Sequence, residues 1–149
     1  MSLKEELYKQ SCNYVNKRLQ TVEEIITSNQ KALESETKSS AGDKHETGRA
    51  MLQLEMEKAS QQIEVVQQMK EILARIDPFK TSKNVRLGSI IFTDKANYFL
   101  CISAGQLTID KNIFFAISVS SPIGKLLLGS QKGDIISFNG NLIKIVAVR

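Results

Sequence analysis

Two carboxylates three positions apart, Asp43 and Glu46, follow a glycine in the stretch Ser39-Ser40-Ala41-Gly42-Asp43-Lys44-His45-Glu46. Oxygen donors of this kind suit a hard divalent cation such as Mg²⁺. That ion wants near-octahedral oxygen geometry and usually keeps several waters, so an Asp-x-x-Glu pair is half a site. It makes sense only where a partner brings the other ligands. With them, a metal lowers the pKa of a bound water and braces both oxygens of an in-line displacement. The same spacing is also a capping box, in which an acidic N-cap and a glutamate three residues on satisfy N–H groups at a helix start. The two roles draw on the same oxygens and can alternate between stages.

Little else in the chain offers chemistry. His45 is the single histidine, which leaves no Ser/His/Asp or Cys/His set at a useful spacing. No zinc-ligand spacing and no phosphate-binding glycine loop occurs. His45 titrates near neutrality and could tune the carboxylates; the plainer reading is a loop histidine with no specific role. Cys12 and Cys101 fall in segments of different character, one helical and one strand-like, and read as thiols of a reducing compartment rather than a disulfide.

The elements that must position Asp43 and Glu46 are two long helical patterns. The first runs through Tyr8, Cys12, Val15, Leu19, Val22, Ile26, Asn29 and Leu33 in alternating steps of four and three, a heptad seam facing a partner helix. Asn29 is its polar member and fixes register at some cost in stability. Glu5, Glu6, Lys9, Lys17, Glu23 and Glu24 belong to solvated faces. The second pattern starts at Asp43 and runs through Leu52, Met56, Ala59, Ile63 and Val66, then Met69, Leu73 and Ile76 after a slip in the repeat. It ends at Asp77-Pro78, because proline disfavours helix in the residue before it. Arms of about 33 residues each reach roughly 50 Å at about 1.5 Å per residue. Equal arms around a polar tip favour an antiparallel hairpin within one chain, hence a monomer, over a dimeric coiled coil.

Beyond a polar, lysine-bearing linker, Phe79 to Asn84, the pattern changes to short apolar runs bounded by turn residues. Strands are expected at Val85–Thr93, Tyr98–Ser103, Phe114–Val119, Ile135–Phe138 and Leu142–Val148, with a weaker one near Leu107–Ile109. Asn139-Gly140 is a two-residue hairpin signal. One short helix interrupts them, with Ser121 as N-cap, Pro122 at its first position and Gly129 as terminator. The fold class is therefore α+β: a coiled-coil hairpin over 1–76, a linker over 77–84, and a small antiparallel sheet with one short helix over 85–149.

Composition agrees with that division. The chain has 149 residues, 42% of them hydrophobic, enough for one or two small domains but not for one large core. Residues 1–76 hold 11 Lys and Arg against 12 Asp and Glu; residues 77–149 hold 9 against 4 and contain no glutamate. The basic second half suits an acidic protein surface or nucleic acid, and the lack of a dense Lys/Arg cluster argues against direct nucleic-acid binding. No run of eighteen apolar residues spans a membrane, and the charged N-terminus is not a secretory signal. A cytoplasmic protein is expected.

Two motifs then coincide with a known family. The segment Ile117-Ser118-Val119-Ser120-Ser121-Pro122-Ile123-Gly124-Lys125-Leu126-Leu127-Leu128-Gly129, followed by Lys132-Gly133-Asp134, resembles the signature of the bacterial Gre transcript-cleavage factors, and Gly42-Asp43-x-x-Glu46 has the spacing of their acidic tip. Val85 to Thr93, with Leu87-Gly88-Ser89, is similar to the opening strand of the same domain. The resemblance covers nearly the whole chain. It implies a coiled-coil hairpin followed by a domain of the FKBP-like fold, with RNA polymerase as the partner. It further implies that Asp43 and Glu46 enter the polymerase's secondary channel and help hold a Mg²⁺ ion and a water at its active centre, where backtracked RNA is hydrolysed and its 3′ end re-formed. No cofactor would be bound stably by the chain alone. Ser121, Pro122, Ile123 and Lys125 lie where the resemblance puts docking on the channel rim. Lys38, Lys44 and Arg49 are either contacts for RNA phosphates or a solvated surface offsetting the acidic pair.

The tip departs from the family after Glu46, where Thr47-Gly48-Arg49-Ala50 replaces the usual continuation, and His45 is foreign to its commonest version. Arg49 stands three residues from Glu46, where a cation can pair with the carboxylate. A channel-binding regulator that does not cleave is thus a second reading. A peptidyl-prolyl isomerase or chaperone is a third, since FKBP-like folds include such enzymes. Fold alone does not confer activity, and the absence of tryptophan argues against an aromatic-lined proline pocket.

Overall fold

The computed structural model describes residues 1–38 and 44–149, and side chains up to residue 35 and from residue 47 onward. Two long helices come first, α1 (Leu3–Lys38) and α2 (Lys44–Ala74), followed by six strands and one short helix: β1 (Ile90–Thr93), β2 (Asn97–Cys101), β3 (Gly105–Ile109), β4 (Asn112–Ser118), α3 (Pro122–Leu127), β5 (Ile135–Phe138) and β6 (Asn141–Val148). The α+β class expected from the sequence is the class observed. These residues divide into two compact units, one of Met1–Tyr14 with Met69–Arg149, the other Val15–Gln68.

In the Val15–Gln68 unit the heptad seam is the buried line. Val15, Val22, Asn29, Ala59 and Val66 are buried, with Leu19, Ile26, Leu33, Leu52, Met56 and Ile63 half-buried beside them. The helices run antiparallel: residues 21–29 of α1 and 55–62 of α2 line one groove of about 550 Å³. Asn29 and the small Ala59 both face it, and the Asn29 Nδ2 has no hydrogen-bond partner.

In the other unit the sheet has the order β3-β4-β2-β1-β6-β5. One pairing corrects the expectation of a purely antiparallel sheet: β2 and β4 run parallel, with Tyr98 opposite Phe115 and Leu100 opposite Ile117. Strand alternation sends Phe99 and Cys101 to one face of β2 and Leu100 to the other. Leu100, Ile91, Ile143 and Ile145 form a core with Val85 and with Ile123 and Leu127 of α3. The opposite face is covered by the start of α1, where Leu7 and Ser11 are fully buried and Ser11 Oγ stands 3.7 Å from Cys101 Sγ. Gln10 Nε2 also donates to the Thr108 carbonyl at 3.1 Å. Phe92 and Phe114 meet edge to face at 6.0 Å on the face of β1 and β4 that carries Phe99.

Three local differences from expectation have a visible cause. Helix α2 stops at Ala74, before Asp77-Pro78, because Arg75 and Ile76 donate to Ile72 and Leu73, three residues back rather than four. The expected strand over Val85–Thr93 begins only at Ile90: Arg86 to Ser89 is a turn, closed by Ser89 N–H to Arg86 O and by Arg86 N–H to Ser89 Oγ, both 2.9 Å. Gly88 has φ +91° there, and an added Cβ would stand 3.0 Å from Ile76. The β3–β4 hairpin is the third difference. Asp110 and Lys111 both take positive φ, 48° and 70°, giving a two-residue turn without the glycine that marks Asn139-Gly140 in the β5–β6 hairpin.

Candidate functional site

Asp43 lies outside the described residues, and so does the expected capping box. Glu46 falls in the first turn of α2, Lys44 opens that helix and Lys38 closes α1; the side chains of these three, like that of His45, are outside the description. Of the tip residues whose side chains are described, Thr47 and Arg49 are exposed and Gly48 is half-buried. Among the described residues no group of three or more His, Cys, Asp or Glu could hold a metal ion. A two-carboxylate tip fits Mg²⁺ only as a partial ligand set.

The second set of expected site residues is fully described. Ser121 is the N-cap of α3, with Pro122 at the first helical position. The Ser121 hydroxyl donates to the Ser118 carbonyl at 2.6 Å and accepts from Gly124 N–H at 3.1 Å. One side chain thereby fixes both the end of β4 and the first turn of α3. Position 124 has no room for a side chain: a Cβ there would stand 2.0 Å from the Ser118 carbonyl oxygen. The chain leaves α3 through Gly129, at φ +83°.

Exposure sorts the residues of this segment. Ile123 is only 8% exposed and packs into the core, whereas Pro122 and Lys125 face solvent. Leu126 to Leu128 divide as well. Leu127 is fully buried, but Leu126 and Leu128 are 43% and 49% exposed. The surface of α3 therefore presents Pro122, Lys125, Leu126 and Leu128, an apolar patch with one cation. A leucine run gives no sequence signal for which members turn outward; only the helical phase set by the Ser121 cap does.

The thiols are free, Cys12 half-buried and Cys101 fully buried. Burial pushes the Cys101 thiol up to about 11, against hydrogen-bond contacts with Ile102 and Ser11 that work the other way. At that value it is protonated at neutral pH and a poor nucleophile. No helix among the described residues is long and apolar enough to cross a membrane.

No protein-family model matches the chain, and no curated protein matches it. Solved structures do show a likeness. The crystal structure of the GreA factor homolog 1 (Gfh1) protein of Thermus thermophilus is 20% identical, over 95% of this chain and 94% of that one, with a TM-score of 0.37. A structure of the transcription factor Gfh1 is 19% identical, over 95% and 92%, with a TM-score of 0.35. At these scores the likeness in fold is loose.

Proposed function

We propose that this chain is a Gre-like transcription elongation factor. It binds RNA polymerase, inserts the tip of its helical hairpin into the secondary channel, and stimulates hydrolysis of backtracked RNA by the polymerase's own active centre. The observation that carries the reading is the Gly-Asp-x-x-Glu pair of the sequence, Asp43 and Glu46, which follows a helix of 36 residues and runs into the first turn of one of 31 residues. Support comes also from the Ser118–Ser121–Gly124 lock, which gives the serine-proline part of the sequence resemblance a physical purpose.

In this reading the chain is not an enzyme alone. The Asp43 and Glu46 carboxylates supply oxygens toward a Mg²⁺ ion whose remaining ligands belong to the polymerase. Such an ion, when bound, acidifies a water for in-line attack on the RNA phosphodiester. Pro122, Lys125, Leu126 and Leu128 form the docking face on the channel rim, and the factor acts as a cytoplasmic monomer.

A second reading rests on Gly48 and Arg49. Glycine weakens the first turns of α2 by up to about 1 kcal/mol relative to alanine, and Arg49 can draw the Glu46 carboxylate away from a metal. Both favour a regulator that occupies the channel without cleaving.

The test is transcript cleavage in a halted, backtracked complex with the cognate polymerase and Mg²⁺, comparing wild type with Asp43→Ala plus Glu46→Ala. Shortened RNA from the wild type alone supports the donor role. Binding by both proteins with cleavage by neither overturns it in favour of the channel-occupying regulator.

A further inference from the structure

Four cations come together around one cavity, Lys4 from the start of α1 and three from the segment between α2 and β1. Lys4 sits in the first turn of α1, Arg75 just past the end of α2, Lys80 in the turn that follows, and Arg86 in the turn before β1. With Asp77, Ser82 and the Leu87–Ser89 backbone they line a cavity of about 310 Å³. Every lining residue belongs to the Met1–Tyr14 and Met69–Arg149 unit.

Lys4 is what makes this more than a basic surface. It is only 7% exposed, although the other three cations are exposed. Its Nζ donates to the Lys80 carbonyl at 2.7 Å, which uses one of its three donors and neutralises no charge. Burial, together with the nearby Arg86 guanidinium, holds the Lys4 ammonium below the usual lysine range, and Asp77 offsets this in part. A buried lysine facing a second cation is costly to keep, and an anion between them relieves both the desolvation and the repulsion. The turns are built around this arrangement. Asp77 Oδ1 accepts from Phe79 N–H at 2.9 Å and Ser89 Oγ from Arg86 N–H at 2.9 Å, so the turns that carry Lys80 and Arg86 are each closed by a side chain.

We propose that this cavity binds a phosphorylated small molecule, with a diphosphate group as its best match. Four cations and one carboxylate leave a lining of net +3, against about −1.5 to −2 per phosphoryl group at neutral pH. The volume stands at the low end of small-molecule sites, roughly 300–1,000 Å³. That fits a phosphate-bearing group enclosed by its cations better than an acidic protein segment lying across a surface. Arginine at two of the four positions suits bidentate capture of phosphate oxygens. The site is separate from the tip carboxylates and does not depend on their role.

The test is titration of the full-length chain with inorganic diphosphate, followed by calorimetry and by backbone amide shifts. Saturable binding is expected, weaker at higher salt, with shifts confined to the Lys4, Ser82 and Leu87–Ser89 surroundings. Arg86→Gln and Lys80→Gln change exposed side chains and fold as wild type by circular dichroism, and each weakens diphosphate by about tenfold. Asp43→Ala plus Glu46→Ala leaves it unchanged. No saturable binding at millimolar diphosphate overturns the proposal, as do shifts elsewhere or an affinity untouched by both variants. An Asp/Glu-rich peptide that perturbs the same amides and binds more tightly than diphosphate overturns the assignment to a small phosphorylated ligand.

Discussion

The Tyr8 hydroxyl donates to the main-chain carbonyl of Leu73 at 3.0 Å. That carbonyl belongs to the last turn of α2 and also accepts from Ile76 N–H at 3.1 Å, in the three-residue turn that closes the helix. Tyr8 adds a second donor from the neighbouring helix, and burial keeps its phenol above the usual tyrosine range. Tyr8→Phe removes the donor while keeping the ring. It should cost about 1 kcal/mol, read as a lower urea midpoint with an unchanged slope. An unshifted midpoint would mean that water serves that carbonyl equally well.

Asn29 offers the opposite case. It occupies a buried seam position, yet its Nδ2 is unpartnered, so the amide's desolvation is not repaid. Asn29→Leu should raise stability by about 1–2 kcal/mol. If asparagine also sets the pairing of the helices, the same variant should populate dimers that light scattering detects. A drop in stability would show that the amide serves the fold in some other way.

At Gly124 the obstacle is main chain rather than a movable side chain, since an added methyl meets the Ser118 carbonyl. Gly124→Ala should therefore destabilise by about 2–3 kcal/mol, at the upper end of overpacking effects. Ser121→Ala, which removes the cap but leaves the space, should cost about 1 kcal/mol. Thermal unfolding ranks the two, and the reverse order would count against the close approach as the main constraint.

The two thiols should react very differently. At pH 8 iodoacetamide should modify half-buried Cys12 and leave Cys101 untouched until the protein unfolds. The folded Cys101 pKa, about 11, exceeds the ordinary 9.0. Below pH 9 both states hold the proton and its contribution is fully present. Between about pH 9 and 11 the unfolded chain loses the proton first, so stability falls, by on the order of 2–3 kcal/mol. Cys101→Ala should lack that slope, whereas the tyrosines and Lys4 contribute alike to both proteins and cancel. Equal slopes would exclude Cys101 as its source.

What the sequence made legible follows physical range. The seam through Val15, Val22, Asn29, Ala59, Val66 and Leu73 is a local period, so it was readable residue by residue. The same holds for the Ser121 cap and the Asn139-Gly140 turn. Leu7 and Ser11 were not readable, because a second buried face at the start of α1 exists only once β2 lies against it. The parallel β2–β4 pairing needs long-range partners for the same reason. Val85–Ser89 was over-extended as a strand, although Gly88 already marked a turn. The Lys4, Arg75, Lys80 and Arg86 cluster was not readable, because only Lys80 and Arg86 belong to the basic second half and folding alone brings Lys4 to them. Asp43 and Glu46 were singled out by type and spacing, and Asp43 lies outside the described residues.

The sharing of one compact unit by residues Met1–Tyr14 and Met69–Arg149 has a consequence for synthesis. A ribosome releases Ser11 90 residues ahead of Cys101, the β2 residue it meets, and β6, which pairs with β1 through Ile91 and Val148, follows later still. The start of α1 must therefore leave the exit tunnel well before the strands it covers. Long-range closure of this kind is slow, and it leaves the apolar flank of the nascent helix open to chaperones throughout translation. A ribosome that stalls before β6 emerges would hold the β3-β4-β2-β1 part of the sheet with β1 open along one edge and β5 without its neighbour.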